Sequence, residues 1–337
     1  MKTITRSSVF LASISRISIA LIAIASFFFI SKISKSQNNT MPLIAIANYG
    51  PHSSLEESIR GIKKGLIKQG FEEGRNIRFE IVDVSFDTSL IIQMLVRLKA
   101  MNPKIIVTQA TPVSQAAKNM IKNIPIVFAD ITDPVEAGLI KKHDQAESNI
   151  TGASDRQDLS AMLKFIRKLL PKANRIGMLY ATSEANDAAL LKMMEEAVSI
   201  ENMDLVAVPI DQSRDIAVRM QALKGKVDMI YVGSSGTIQP SLPTIVALAE
   251  EMKIPVVNMN SEEVTNNKVF ASFGVSYFKV GVNASEIIGR ILKGEKPSDI
   301  NPLYPILSDH EAFISRKRAE KIGFVIPGNI SNLQIVE

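Results

Sequence analysis

From Met41 onward, short apolar runs alternate with longer stretches whose apolar residues recur at helical spacing. Residues 43–47 read LIAIA, a continuous apolar run of strand length. In residues 53–69, Leu55, Ile59, Ile62, Leu66 and Ile67 fall on one helical face, and Gly70 closes the segment. Residues 77–84 alternate as a strand, residues 88–101 are helical, and Asn102-Pro103 stops the helix. A strand over 104–108, a helix over 112–122 and a strand over 124–129 follow. Residues 175–257 repeat the alternation: RIGMLY, a helix over 187–200, DLVAVPI, a helix over 213–223, VDMIYV, a helix over 241–252 and IPVVN. VFASF (269–273) and a helix over 277–293, ending at Gly294, complete the series.

Near-continuous apolar strands alternating with amphipathic helices predict an α/β fold with parallel sheets covered on both faces. Two series of four or five strands predict two doubly wound parallel-sheet lobes. Ligands in such lobes bind outside the carboxyl ends of the strands, so two lobes facing each other form a cleft.

Composition narrows the function. The chain has 337 residues, 46% hydrophobic and 22% charged, with a net charge of +5. That balance excludes disorder for the bulk of the chain. There is no cysteine, so disulfides, thiol nucleophiles and thiolate metal sites are excluded. The excess charge is local. Lys2, Arg6, Arg16, Lys32 and Lys35 precede the first acid, Glu56. Without these five, 34 cations face 34 acids from residue 37 onward, and a neutral body offers no footprint for nucleic acid.

Residues 1–36 form a leader: cations, then an apolar run over 17–30, then Lys32 and Lys35. This is the order of a secretory signal, and the run is short for a spanning anchor, which takes about 20 apolar residues. Ser34 and Ser36 offer small residues for cleavage, with retention as an N-terminal anchor the alternative. No cysteine follows the run, so the protein is not expected to be a lipoprotein.

No Gly-x-Gly-x-x-Gly follows a predicted strand, and neither a phosphate loop nor Gly-x-Ser-x-Gly occurs. His52, His143 and His310 lie in separate segments without metal-ligand spacing. No catalytic apparatus, metal site or cofactor is therefore expected. The polar residues at strand ends remain. Asn48, Tyr49, His52 and Ser53 follow the first strand, where Ser53 or Ser54 also reads as a helix cap. Thr108, Ala110 and Thr111 lead into a helix with Pro112 in its first turn, which makes Thr111 the expected cap. Such an N-terminus suits a carboxylate. Asp130 and Asp133 end the next strand and could bind an amine, tie a hinge or form a turn. Ser234 and Ser235 sit in a pliant hydroxyl-rich loop, and Asn258 ends a later strand.

Several longer strings share an order and spacing with one family. They are TQATPVSQAAKN (108–119), IPIVFADITDPVEAGLI (124–140), SNITGASD (148–155) and RIGMLYATSEAN (175–186). VDMIYVGSSGTIQPSLPTI (227–245), SFGVSYFKVGVNASEIIGRILKGEKP (272–297) and AEKIGFVIP (319–327) continue it. Together they resemble the ABC-transporter substrate-binding proteins that include bacterial tryptophan, phenylalanine and tyrosine receptors. The resemblance implies a type I periplasmic binding protein fold with a three-segment hinge. One lobe would hold residues 41–153 and about 274–305, the other 154–273 and about 306–337.

It also implies an exported, periplasmic, monomeric receptor that binds an amino acid or related small acid and serves an ABC permease in the inner membrane. The family's carboxylate-binding loop corresponds to residues 108–112. Its His/Pro pair corresponds to Pro51-His52, and its polar cleft residue to Asn186. Tyr277 falls at a further family position. Two departures stand out. Ser235-Gly236 replaces a frequent Asp-Asn pair, and Ser276 stands where an Asp often precedes the tyrosine. Fewer acids mean fewer charge-assisted partners for an amine, so a neutral ligand or an acid without an amine stays open, with Asp130 a substitute charge. With no tryptophan, stacking must use Phe or Tyr, for example Tyr49, Phe128, Tyr180 or Tyr277. A tethered sensor, and a cleft enzyme using Asp130 and Asp133, are the competing readings.

Overall fold

The computed structural model describes residues 41–337 apart from residue 329. The leader expected over residues 1–36 lies outside the described residues.

The first sheet has five strands, all parallel. They are β1 (Leu43–Asn48), β2 (Arg78–Asp83), β3 (Ile105–Gln109), β4 (Ile126–Ile131) and β5 (Ile150–Ser154), in the order β2-β1-β3-β4-β5. Strand β1 shows why its run is apolar throughout. Ala45 and Ala47 face α2 (Ile91–Ala100) and α3 (Thr111–Met120). Ile44 and Ile46 face α1 (Ser53–Lys68) and α9 (Tyr277–Leu292) on the other side. Successive side chains point to opposite faces, so a strand covered on both faces has no polar side. Burying one such Ile contributes about 1.5–3 kcal/mol.

Helices α1 and α9 approach until backbones touch. A Cβ on Gly281 would fall 2.0 Å from the carbonyl oxygen of Ser58. Glycine at this position allows an approach that any side chain would block.

The second sheet has seven strands, in the order β12-β11-β10-β9-β8-β6-β7. In chain order these are β6 (Arg175–Ala181), β7 (Asp204–Ile210), β8 (Met229–Val232), β9 (Val256–Asn258), β10 (Ala271–Val275), β11 (His310–Ser315) and β12 (Leu333–Val336). Helices α4 (Leu159–Leu169) and α5 (Ala185–Glu201) cover one face. Helices α6 (Ile216–Met220), α7 (Leu242–Glu251) and α8 (Ser261–Thr265) cover the other. Both sheets are thus doubly wound, as the alternation predicts. The prediction of wholly parallel sheets needs one correction: β10 pairs with β11 antiparallel. Strands β11 and β12 also escaped the sequence pattern. HEAFIS buries only Ala312, Ile314 and Ser315, and LQIV is at most half-buried, so neither shows a long apolar run.

The chain passes between the lobes three times: after β5, between β10 and α9, and before β11. Ser154 N–H donates to Leu303 O at 2.9 Å, and Ser276 N–H donates to Asp309 O at 2.8 Å. The Gln157 side chain links two crossings, donating to Asp155 O at 2.7 Å and accepting from Val275 N–H at 3.2 Å. Among the described residues, no helix is long and apolar enough to cross a membrane.

Candidate functional site

A cavity lined by residues of both lobes lies between them. Its walls follow the carboxyl ends of parallel strands. Tyr49, His52 and Leu55 come after β1, Phe86 after β2, and Ala110, Thr111 and Pro112 after β3. Asp130 and Thr132 lie at the end of β4, and Asp155 after β5. The opposite wall carries Glu184 and Asn186 after β6, Ser234, Ser235 and Gly236 after β8, and Asn260 after β9. Tyr277, at the start of α9, lines the cavity as well.

The aromatic side is ordered by contact. Tyr49 and Phe86 meet edge to face, with centroids 5.4 Å apart and planes at 88°. Tyr49 also reaches the other lobe, where a Cβ on Gly236 would fall 2.7 Å from Tyr49 Cε1. The lobes therefore meet at the cavity mouth. Two further pairs span them: His52 Nε2 to Glu263 Oε1 at 3.8 Å, and Lys192 Nζ to Glu136 Oε1 at 2.6 Å. Burial pushes the Tyr49 hydroxyl up to about 12, aided by the Glu184 charge, so it stays a neutral donor.

Helix α3 points its first turn at the cavity. Ala110, at φ 69° and ψ 157°, precedes it, and Thr111 is its first residue. The cap expected at Thr111 is therefore one residue earlier, and Ala110 has no side chain to cap with. The first N–H groups of the helix thus stay available to an anion. At α1, His52 takes the place expected for a serine cap: its Nδ1 accepts from Ser54 N–H at 3.3 Å. Burial lowers the His52 pKa, with Glu263 opposing, so the ring tends toward the neutral form that can accept.

Glu184 organises the opposite wall. Its carboxylate accepts from Thr237 N–H at 2.8 Å, Gly236 N–H at 3.0 Å and Ser235 Oγ at 3.2 Å. Asn186 Nδ2 donates to Ser234 O at 2.6 Å, while its Oδ1 has no partner. The pliant loop read from GSSGT is thus held by a carboxylate from the neighbouring strand end.

The floor is acidic. Asp130 Oδ2 accepts from Gln109 Nε2 at 2.9 Å, and Oδ1 is buried without a partner. Asp155 Oδ2 accepts from Tyr277 Oη at 2.8 Å, and its Oδ1 is likewise unpartnered. Burial, then the Asp155 charge, drives the Asp130 carboxyl well above the usual range, and burial raises Asp155 to about 6. Tyr277 is pushed far up, chiefly by its own burial.

The structure brings Tyr49, His52, Ala110, Thr111, Asp130, Asn186, Ser234, Ser235 and Tyr277 to this cavity. Asn48, Ser53, Thr108, Asp133 and Asn258 are not among its lining residues. Asn48 Nδ2 bonds Gly50 O at 3.0 Å, shaping the turn after β1. Thr108 Oγ1 pairs with Ser114 Oγ at 2.8 Å beneath α3. Asp133 caps the backbone at Val135 and Glu136 and pairs with Arg156. Asn258 Oδ1 accepts from Asn260 N–H at 2.8 Å. Of the aromatic residues offered for stacking, Phe128 is wholly buried in the first-lobe core and Tyr180 packs at the second-lobe core. Sequence reasoning missed Glu184, Asp155 and Phe86. Glu184 ends the loop after β6, just before the helix that carries Asn186, and was within reach of the strand-end rule. Asp155 follows β5, whose ITGAS sequence shows no apolar run to mark it.

Among the described residues, no group of three or more His, Asp or Glu could hold a metal ion. The ABC transporter substrate binding protein family is matched over residues 43–335. The tyrosine-binding protein of Clostridioides difficile is 31% identical over 267 residues, covering 79% of this chain and 76% of the relative. A Streptococcus pneumoniae ABC domain in complex with L-Trp superposes with a TM-score of 0.81 at 26% identity, covering 88% of this chain and 100% of that one. The ligand-free, open substrate-binding protein of C. difficile superposes with a TM-score of 0.70 at 29% identity, covering 88% of this chain and 99% of that one. These relatives are solute-binding proteins, not enzymes, and the two-lobe architecture is the type I periplasmic binding protein fold. This chain belongs to the ABC transporter substrate-binding proteins.

Proposed function

We propose that the protein is an exported receptor that captures an amino acid, preferably an aromatic one, and presents it to an ABC permease for import. One observation carries this reading. The cavity is closed by Tyr49 against Gly236 and joins an aromatic wall, Tyr49 with Phe86, to the open first turn of α3. A ring lies against the first, and a carboxylate meets the N–H groups of the second. The relatives named for tyrosine and for a complex with L-Trp support the same ligand class.

The ligand would contact the α3 wall first. Closure would then bring Glu184, Asn186 and the 234–236 loop over it and expel water. Hydrogen bonds strengthen as the local dielectric falls. Only differential affinity for closed over open can shift that equilibrium, so the permease reads a population rather than a reaction. The ligand-binding residues in this scheme are Tyr49, Ala110, Thr111, Asn186, Ser234, Ser235 and Tyr277. The protein would act in the periplasm as a monomer, delivered there by the leader.

Thermal-shift and calorimetric titration of the purified protein against the amino acids tests this. A ligand at 100 times its dissociation constant should stabilise the fold by about 2.7 kcal/mol. Absence of any shift across all amino acids would remove the amino-acid reading.

A further inference from the structure

Asp130 departs from ordinary strand behaviour. Strand β4 slips register against β5 between Phe128 and Ile131: Phe128 pairs with Gly152, yet Ile131 pairs with Ser154. The extra residue forms a bulge. Asp130 lies in it at φ +60°, a left-handed conformation that side chains rarely adopt. Bulges re-aim side chains, and backbone strain of this kind persists only where surrounding structure enforces it. The re-aimed carboxylate lines the cavity, is only 6% exposed, and has an unpartnered Oδ1.

Nothing positive answers it. Among the described lining residues there is no Lys or Arg, and His52 favours its neutral form. Asp155 also lines the cavity and acts on Asp130 through its charge; it has its own unpartnered Oδ1, and Tyr277 donates to Asp155 rather than to Asp130. Glu184, the third lining carboxylate, is already engaged by the 235–237 loop. Gln109 satisfies only one oxygen of this carboxylate; a buried oxygen left unpaired is costly, and burial already drives the group toward its neutral form. A ligand cation would relieve that cost.

Position supplies the rest. Gln109 pairs with Ala129 in the β3–β4 register. The next residues on the two strands, Ala110 and Asp130, therefore open side by side onto the cavity. Ala110 begins the anion-seeking end of α3. A positive and a negative group carried close together on one ligand match this pair.

We propose that Asp130, backed by Asp155, seats a ligand ammonium group beside the α3 carboxylate site, so that the cavity selects zwitterionic amino acids over the same acids lacking the amine. The proposal rests on the receptor reading above. Its test is calorimetry with L-tyrosine and L-tryptophan against 3-(4-hydroxyphenyl)propionate and indole-3-propionate, on the wild-type protein, Asp130→Asn and Asp155→Asn. Wild type should bind the better amino acid about 10- to 100-fold more tightly than its amine-free counterpart. Asp130→Asn should lose most of that ratio, with binding of the amine-free acid kept within a few-fold. Asp155→Asn should lose a smaller part of it. Equal wild-type affinity for both partners of a pair overturns the amine seat and leaves the receptor reading standing, as does full selectivity retained in Asp130→Asn. Binding of none of the four compounds by wild type overturns both. If Asp130→Asn does not fold, the wild-type ratio and Asp155→Asn decide.

Discussion

Tyr49 of one lobe lies across Gly236 of the other, so close that a single added carbon at 236 would fall 2.7 Å from Tyr49 Cε1. Gly236 is not required here for backbone conformation, since its φ is not in the left-handed region. Its value is the space it leaves. Closure of the cavity depends on that space. Gly236→Ala should weaken L-tyrosine binding by about tenfold, which corresponds to about 1.4 kcal/mol. The melting temperature without ligand should stay nearly unchanged. Calorimetry and thermal melting check this, and unchanged affinity would show that the Tyr49–Gly236 contact does not limit closure.

Glu184 couples the two strand-end loops of the second lobe. Its carboxylate gathers donors from Ser235, Gly236 and Thr237. Glu184→Gln keeps the shape but leaves one acceptor oxygen for donors that now use two. The expected cost is about 1–3 kcal/mol in stability. Affinity should fall with it, because the loop forms one wall of the cavity. Chemical denaturation paired with titration measures both. A variant that loses affinity without losing stability would place Glu184 in direct ligand contact instead.

Asp155 and Asp187, beside the already raised Asp130, predict how stability follows pH. Burial raises Asp155 to about 6, and burial together with Glu184 raises Asp187 to about 8. Both groups have a lower pKa when the chain unfolds, so the folded state binds more protons. Their contribution is complete below about pH 4 and is lost as pH rises through the folded values. Ligand-free protein should therefore lose melting temperature between about pH 4 and 8, by on the order of 5 °C. Asp187→Asn should flatten the upper part of that decline. A flat profile in wild type would mean that these carboxyls find partners in solution.

Helices α1 and α9 come from distant parts of the chain and meet through glycine. Gly281→Ala drives a methyl group toward the Ser58 carbonyl, a backbone atom that cannot swing aside. A destabilisation of about 1–3 kcal/mol is expected, as for overpacked cores. Denaturant unfolding checks this. A cost under about 0.5 kcal/mol would show that the helices can slide apart freely.

Much of the architecture was legible before any coordinates. Short apolar runs such as LIAIA and IPIVFA, alternating with stretches of helical spacing, fit strands covered on both faces and joined in parallel. That reasoning needs only local periodicity and the direction of side chains. It located strand-end loops, and with them Tyr49, Ala110, Thr111 and Ser235, whereas Asn186 came from the family resemblance. It did not find β11 or β12, whose few buried residues form no run, nor β5, which is rich in small residues. Asp155 was lost with β5.

What no linear pattern holds is which strand-end residues turn inward. Thr108 and Asp133 lie at the same strand ends as Ala110 and Asp130, yet one hydrogen-bonds beneath a helix and the other pairs with Arg156. The difference comes from backbone dihedrals and register. A one-residue bulge in β4 aims Asp130 into the cavity, and a positive φ at Ala110 begins α3 there. Closure of Tyr49 on Gly236 joins residues almost two hundred positions apart. Sequence periodicity sets faces and layers because these are properties of one element. The cavity is a property of two lobes and the hinge between them, and it exists only once both are folded.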